Sequence, residues 1–168
     1  MSPYLRHLVK QVNTFLDMKQ IILLGVALLI TGTILKAQSI KEVTWAYTSK
    51  KIAAQTYEVH MTATVGGDFH IYSQKGGDGP VSTTFTLTKN PLITPSGPIK
   101  EVGKMVRKYE EAFKSEVRYY AQTVDFVQVI KVKSAAKTNL AGKVEFMVCN
   151  DRECLPPSEV EFKINLGG

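Results

Sequence analysis

Between residues 55 and 65, apolar and polar side chains alternate without a break. Tyr57, Val59, Met61, Ala63 and Val65 share one parity; Thr56, Glu58, His60, Thr62 and Thr64 share the other. Successive side chains of a strand point to opposite faces, so this pattern predicts a strand with one buried face. Val81, Thr83, Phe85 and Leu87 alternate in the same way with Ser82, Thr84, Thr86 and Thr88, and the pattern returns at 143–149 and 159–166. Further strands are predicted at 43–48 and 69–73 and along the stretch 117–133.

The intervals are rich in residues that bend the chain. Gly66-Gly67-Asp68 predicts a hairpin closure and residues 76–80 an irregular loop. Asn90-Pro91 and Pro95-Ser96-Gly97-Pro98 predict interruptions of any strand, because proline cannot donate to a ladder. The charged stretch 104–114 predicts a surface loop or a single turn. Seven or eight short strands with this punctuation predict an all-β protein, an immunoglobulin-like β-sandwich in one domain.

Before the first strand the pattern changes. Lys19 precedes an apolar run from residue 21 to 35, and Ala37 then offers a small residue before Gln38. A basic start, a short apolar core and a small exit residue predict a signal peptide over 1–37, leaving a domain at 38–168. An uncleaved membrane anchor is the rival, but the run is shorter than the 18 or so residues a span needs. The segment would be complete from Met18, which marks that residue as an alternative start. No cysteine lies near the leader, which argues against a lipoprotein anchor.

Composition adds two constraints. The chain has 168 residues, 44% of them hydrophobic, enough to build a core without metals or many disulfides. Its net charge of +6 divides evenly: Arg6, Lys10, Lys19 and Lys36 against Asp17 give the leader +3, leaving +3 for the rest. A charge that mild, alternating along strands, argues against a nucleic-acid partner.

The two cysteines, Cys149 and Cys154, enclose Asn150-Asp151-Arg152-Glu153. With Val144, Phe146 and Val148 facing inward, strand parity places Cys149 on the outer face beside Lys143, Glu145 and Met147. If residues 150–153 close a hairpin, the cysteines face each other across two strands, where Cα atoms lie about 4.5–5.5 Å apart and a disulfide fits. A loop of that size contributes only roughly 2 kcal/mol. Export from the cytoplasm lets such a pair persist oxidised. Arg152 favours a thiolate while Asp151 and Glu153 oppose it, and no lysine or histidine is adjacent in sequence. These residues alone leave a structural and a redox-active disulfide equally open.

The run Val148-Cys149-Asn150-Asp151-Arg152-Glu153-Cys154-Leu155-Pro156-Pro157 resembles the signature of the N-terminal periplasmic domain of the thiol:disulfide interchange protein DsbD. Val43-Thr44-Trp45, Gly67-Asp68-Phe69-His70-Ile71-Tyr72-Ser73 and residues 113–120 resemble further segments of that family. The resemblance implies an immunoglobulin-like domain that relays reducing equivalents in the periplasm, in processes such as redox homeostasis and cytochrome c biogenesis. It implies Cys149 and Cys154 as the exchanging pair, and His70 and Tyr72 as aromatic neighbours. A shielding loop falls within 109–113, with Phe113 over the disulfide. The implied partners are a membrane-embedded or thioredoxin-like dithiol donor and oxidised periplasmic clients. The domain is expected to be a monomer, with no cofactor and no metal. This chain lacks the membrane and thioredoxin-like domains found with the family's domain, so its donor is expected to be a separate protein.

Other chemistry is weighed against this. His60 has outward parity and is expected to be solvated; His70 beside Phe69 and Tyr72 has the setting of a packed strand residue. A Cys2His2 zinc site is disfavoured because Cys-x4-Cys lies at the loose end of zinc-ligand spacing and the histidines sit on early strands without the usual His spacing. Nothing marks the orienting residue or oxyanion hole of a cysteine hydrolase. The remaining alternative is a non-enzymatic binding or assembly domain whose disulfide is structural.

Overall fold

The computed structural model describes residues 42–135 and 137–167; the leader lies outside the described residues. These residues form strands throughout: β1 (Val43–Ala53), β2 (Thr56–Val65), β3 (His70–Tyr72), β4 (Thr84–Leu87), β5 (Ile93–Gly103) and β6 (Val106–Glu110). Then follow β7 (Ser115–Tyr120), β8 (Thr123–Val132), β9 (Thr138–Phe146), β10 (Val148–Cys149) and β11 (Ser158–Leu166). No helix among the described residues is long and apolar enough to cross a membrane. The expected all-β, immunoglobulin-like sandwich is what forms.

All pairings are antiparallel. One sheet has the order β1-β2-β8-β5, a second β10-β3-β7-β6 and a third β11-β9-β4. The alternation that opens the sequence works as expected: Val59, Met61 and Ala63 of β2 are fully buried, while Thr64 is exposed. They pack with Phe126 and Ile130 of β8, Leu140 and Val144 of β9, and Ile164 and Leu166 of β11 in one core. Trp45 on β1 sits 5.4 Å from Phe146 and 6.1 Å from Phe85 between ring centroids, joining two sheets through aromatic contacts.

Several turns and boundaries differ from expectation, each for a physical reason. Gly66-Gly67-Asp68 closes no hairpin, because β2 pairs with β1 and β8 whereas β3 pairs with β7 and β10. The glycines carry the chain from one sheet to another, with Gly67 at a φ of 62°. The Pro95–Pro98 segment does not end its strand. It lies in β5, at the edge of its sheet, and the register shifts between Ser96 and Lys100. An edge position plus a bulge tolerates the missing donors. Finally, 104–114 is no simple loop: residues 106–110 form β6, paired with β7 along its whole length. β6 escapes notice in the sequence because Arg107, Lys108 and Tyr109 are all exposed.

Candidate functional site

The second sheet carries the cysteines, and the sequence explains how. β9 ends at Phe146, though the inward parity of Val144 and Phe146 continues to Val148. Met147 interrupts the strand, and Val148–Cys149 leave that sheet to pair with β3, Val148 opposite Ile71 and Cys149 opposite His70. Parity holds through Met147: Val148 joins Val144 and Phe146 in the main core, and Cys149 lies with Met147 on the opposite face. That face is covered rather than open, so Cys149 is only 1% exposed, packed with Tyr72 and Val117 against Phe113, Tyr119 and Met147.

Cys154 bridges Cys149 in antiparallel fashion, and the two form a disulfide with Cα atoms 4.0 Å apart. The Asn150 N–H donates to the Glu153 carbonyl and the Leu155 N–H to the Val148 carbonyl, both at 2.9 Å, flanking the cysteines. Between them the Asn150 side chain closes the turn, its Oδ1 accepting the Arg152 and Glu153 N–H groups at 2.9 Å each. Asp68 holds this turn from the crossover, accepting from Arg152 Nη2 at 2.9 Å and from Asn150 Nδ2 at 3.3 Å. Although desolvation opposes it, these donors and the Arg152 charge hold the Asp68 carboxyl below its usual range. Unlike Cys149, Cys154 is exposed. The disulfide thus has one buried and one accessible sulfur.

Opposite Cys149, the hydroxyl of Tyr72 donates to Glu110 Oε2 at 3.0 Å. His70 Nε2 lies 3.2 Å from that hydroxyl oxygen and 3.5 Å from Glu110 Oε1. Since the tyrosine proton is committed to Glu110, Nε2 is the donor toward both oxygens. The His70 ring also lies on Tyr119, 4.0 Å between centroids. Burial lowers the pKa of His70, against the pull of Glu110. Burial and the Glu110 carboxylate push the Tyr72 phenol far above its ordinary range. His70 at neutral pH is a neutral donor.

Phe113 stands on the turn between β6 and β7, where its N–H donates to the Glu110 carbonyl at 3.2 Å. Its ring meets Tyr72 edge to face at 6.1 Å. Lys108 of β6 reaches Asp151, between the cysteines, at 3.3 Å, so the hairpin contacts both the cluster and the inter-cysteine turn. The structure therefore gathers Cys149, Cys154, His70, Tyr72 and Phe113 in one place. It also recruits Glu110, Tyr119, Asn150 and Asp68, which lie within segments noted in the sequence but carry no site role there.

His60 lies elsewhere, on the outer face of the first sheet. It is not simply solvated: Nδ1 lies 2.6 Å from Asp125 Oδ2, and Nε2 lies 3.2 Å from Glu58 Oε1. The carboxylates occupy opposite ring nitrogens, so the histidine separates them.

Comparison with known proteins gives two concordant findings. The family model for thiol:disulfide interchange protein DsbD, N-terminal, matches residues 37–166. Among solved structures, the N-terminal periplasmic domain of ScsB from Proteus mirabilis superposes with a TM-score of 0.54 at 16% identity. That match covers 79% of this chain and 49% of the other, so this chain spans about half its length. The DsbD N-terminal domain of Neisseria meningitidis, solved in complex with the PilB N-terminal domain, gives 0.45 at 14% identity over 73% of this chain and 82% of that one. Comparison with curated protein sequences gives no match.

Proposed function

This chain belongs to the DsbD N-terminal family, and on that premise we propose that it is a periplasmic module relaying reducing equivalents through the Cys149–Cys154 disulfide to oxidised partner proteins. The observation that carries the reading is the asymmetry of the pair: Cys154 is exposed and Cys149 buried.

A thiolate of a dithiol donor, membrane-embedded or thioredoxin-like, attacks Sγ of Cys154. The intramolecular S–S bond breaks, a mixed disulfide forms, and Cys149 leaves with the electron pair and takes up a proton. The donor's second thiolate then attacks the donor sulfur of the mixed disulfide and releases Cys154. The donor is oxidised by two electrons and the pair is reduced to a dithiol. Toward a client the steps reverse: Cys154 attacks the client disulfide, and Cys149 resolves the mixed disulfide. Apolar burial raises a thiol's pKa, which favours the accessible Cys154 as the attacking thiolate. In this reading His70 and Tyr72 line the leaving-sulfur side without adding charge, Phe113 covers it, and residues 1–37 deliver the domain.

The test is the reduction potential of the pair, measured by equilibrating purified protein against glutathione or dithiothreitol and trapping free thiols. A value between about −180 and −270 mV fits an exchange protein. A value well below about −300 mV, or a pair that opens only when the fold is lost, identifies a disulfide-stapled binding domain instead.

A further inference from the structure

At the end of the sandwich remote from the cysteines, charge is one-sided. The turn joining β1 and β2 is bonded to the end of β8, the Val132 N–H donating to the Gln55 carbonyl at 2.8 Å. The chain entering β5 is bonded there too, the Lys133 N–H donating to the Leu92 carbonyl at 2.9 Å. Asn90 Nδ2 donates to the Asn139 carbonyl at 2.8 Å, which brings the segment before β5 against the start of β9. These bonds gather Lys51, Lys89, Lys131, Lys133 and Lys137 at one pole, all exposed. None has a carboxylate within ion-pair distance among the described residues. Segments 43–57, 85–99 and 129–142 contain no Asp or Glu at all. The nearest carboxylate in register is Glu58, opposite Lys50.

Two aliphatic side chains protrude among these lysines: Ile52 is 48% exposed and Leu92 41%. Among the described residues, no aromatic ring stands exposed beside them to stack a nucleic-acid base. Lysines are point charges without the planar fork that reads a specific acidic partner. A ring of lysines around protruding aliphatics matches a surface that is anionic in one plane and apolar just beneath it.

We propose that this pole docks on an anionic lipid bilayer, the lysines at the phosphate headgroups and Ile52 and Leu92 in the boundary beneath. β2 alone separates the pole from the crossover that holds the inter-cysteine turn, and its ten residues span about 30 Å. Docking therefore turns the exposed Cys154 away from the membrane, toward partners in solution or standing above the lipid. The inference rests on the charge distribution and holds whether or not the disulfide is a relay.

The test is hydrogen exchange read by peptide on the full chain, with vesicles of phosphatidylcholine alone or mixed with phosphatidylglycerol. Phosphatidylglycerol is expected to slow exchange severalfold within 51–55, 89–93 and 131–137, an effect that fades as salt shortens the screening length. Near an anionic surface each lysine contributes about fivefold to partitioning, so replacing Lys51, Lys131, Lys133 and Lys137 by Gln should weaken partitioning by on the order of several hundredfold and abolish the protection at the same lipid concentration. These lysines are exposed, so the variant should keep the wild-type fold, checked by its unchanged disulfide potential. Protection confined to residues 1–41, or equal with both vesicle types, overturns the proposal. So does protection by a soluble acidic polypeptide but not by vesicles, which would assign the pole to a protein partner.

Discussion

Phe113 lies across Gly79 so closely that a Cβ added to the glycine would sit 2.6 Å from its ring and 2.8 Å from its own Cβ. Gly79 also has a φ of 112°, a conformation side chains resist. The irregular loop at 76–80 is thus the seat for the ring. Gly79→Ala should displace Phe113 and cost about 1–3 kcal/mol, as overpacking generally does. If Phe113 shields the disulfide, dithiothreitol should reduce this variant severalfold faster than wild type. Phe113→Ala should show the same acceleration, and adding Gly79→Ala to it should give little more. Additive effects in the double variant would mean that the glycine acts on the disulfide by another route.

The unequal exposure of the cysteines predicts unequal chemistry. After reduction, iodoacetamide should modify Cys154 long before Cys149, since access as well as thiolate content limits the rate. In single variants, Cys149→Ser should leave a fast-reacting thiol and Cys154→Ser a slow one. Each loses the short crosslink and should be less stable by about 2 kcal/mol. Mass spectrometry of the alkylated peptides decides this directly. Equal rates would remove the basis for naming Cys154 as the point of attack.

How much of this was readable beforehand depended on how local the determinants are. Val59, Met61 and Ala63 face the core as alternation requires, because β2 is unbroken and flanked by partners on both sides. Parity puts Cys149 with Met147 on the face opposite Val148, as found, but does not reveal that Tyr72, Val117 and Phe113 cover that face, because they arrive from other strands. β6 and β5 were missed for a shared reason: each lies at a sheet edge, so neither needs an apolar face nor a full set of donors. The cysteine motif and its turn are contiguous and were legible as such. Glu110, Tyr119 and Asp68 lie in segments marked in the sequence, but they join the site only through long-range pairing, which no local pattern specifies.

The turn between the cysteines rests on one amide. Asn150 is 9% exposed, and its Oδ1 accepts two backbone N–H groups while Nδ2 reaches Asp68. Replacing it by alanine leaves those backbone donors to find water. The expected cost is about 1–3 kcal/mol. Because the native turn presents the thiols to each other, loosening it should also make the disulfide easier to reduce. The potential should rise, with a tenfold change in the exchange constant corresponding to about 30 mV. A stability loss with no change in potential would show that the turn supports the fold without tuning the pair.

His70 gives a pH dependence whose sign follows from its burial. Its pKa in the fold lies below the ordinary 6.5, so the unfolded chain binds a proton more readily than the native one. Stability from this group is complete above about pH 6.5 and is lost as pH falls through that value toward the folded pKa. Glu110 opposes the shift but does not reverse it, which leaves the neutral imidazole donating to Tyr72 and Glu110 in the native state. Urea midpoints should therefore fall between pH 7.5 and 5.5 in the wild type. In His70→Gln, where the side chain still offers a donor but cannot titrate, that decline should be smaller. An equal decline in both proteins would assign the acid sensitivity to other groups and leave His70 a packing residue on Tyr119.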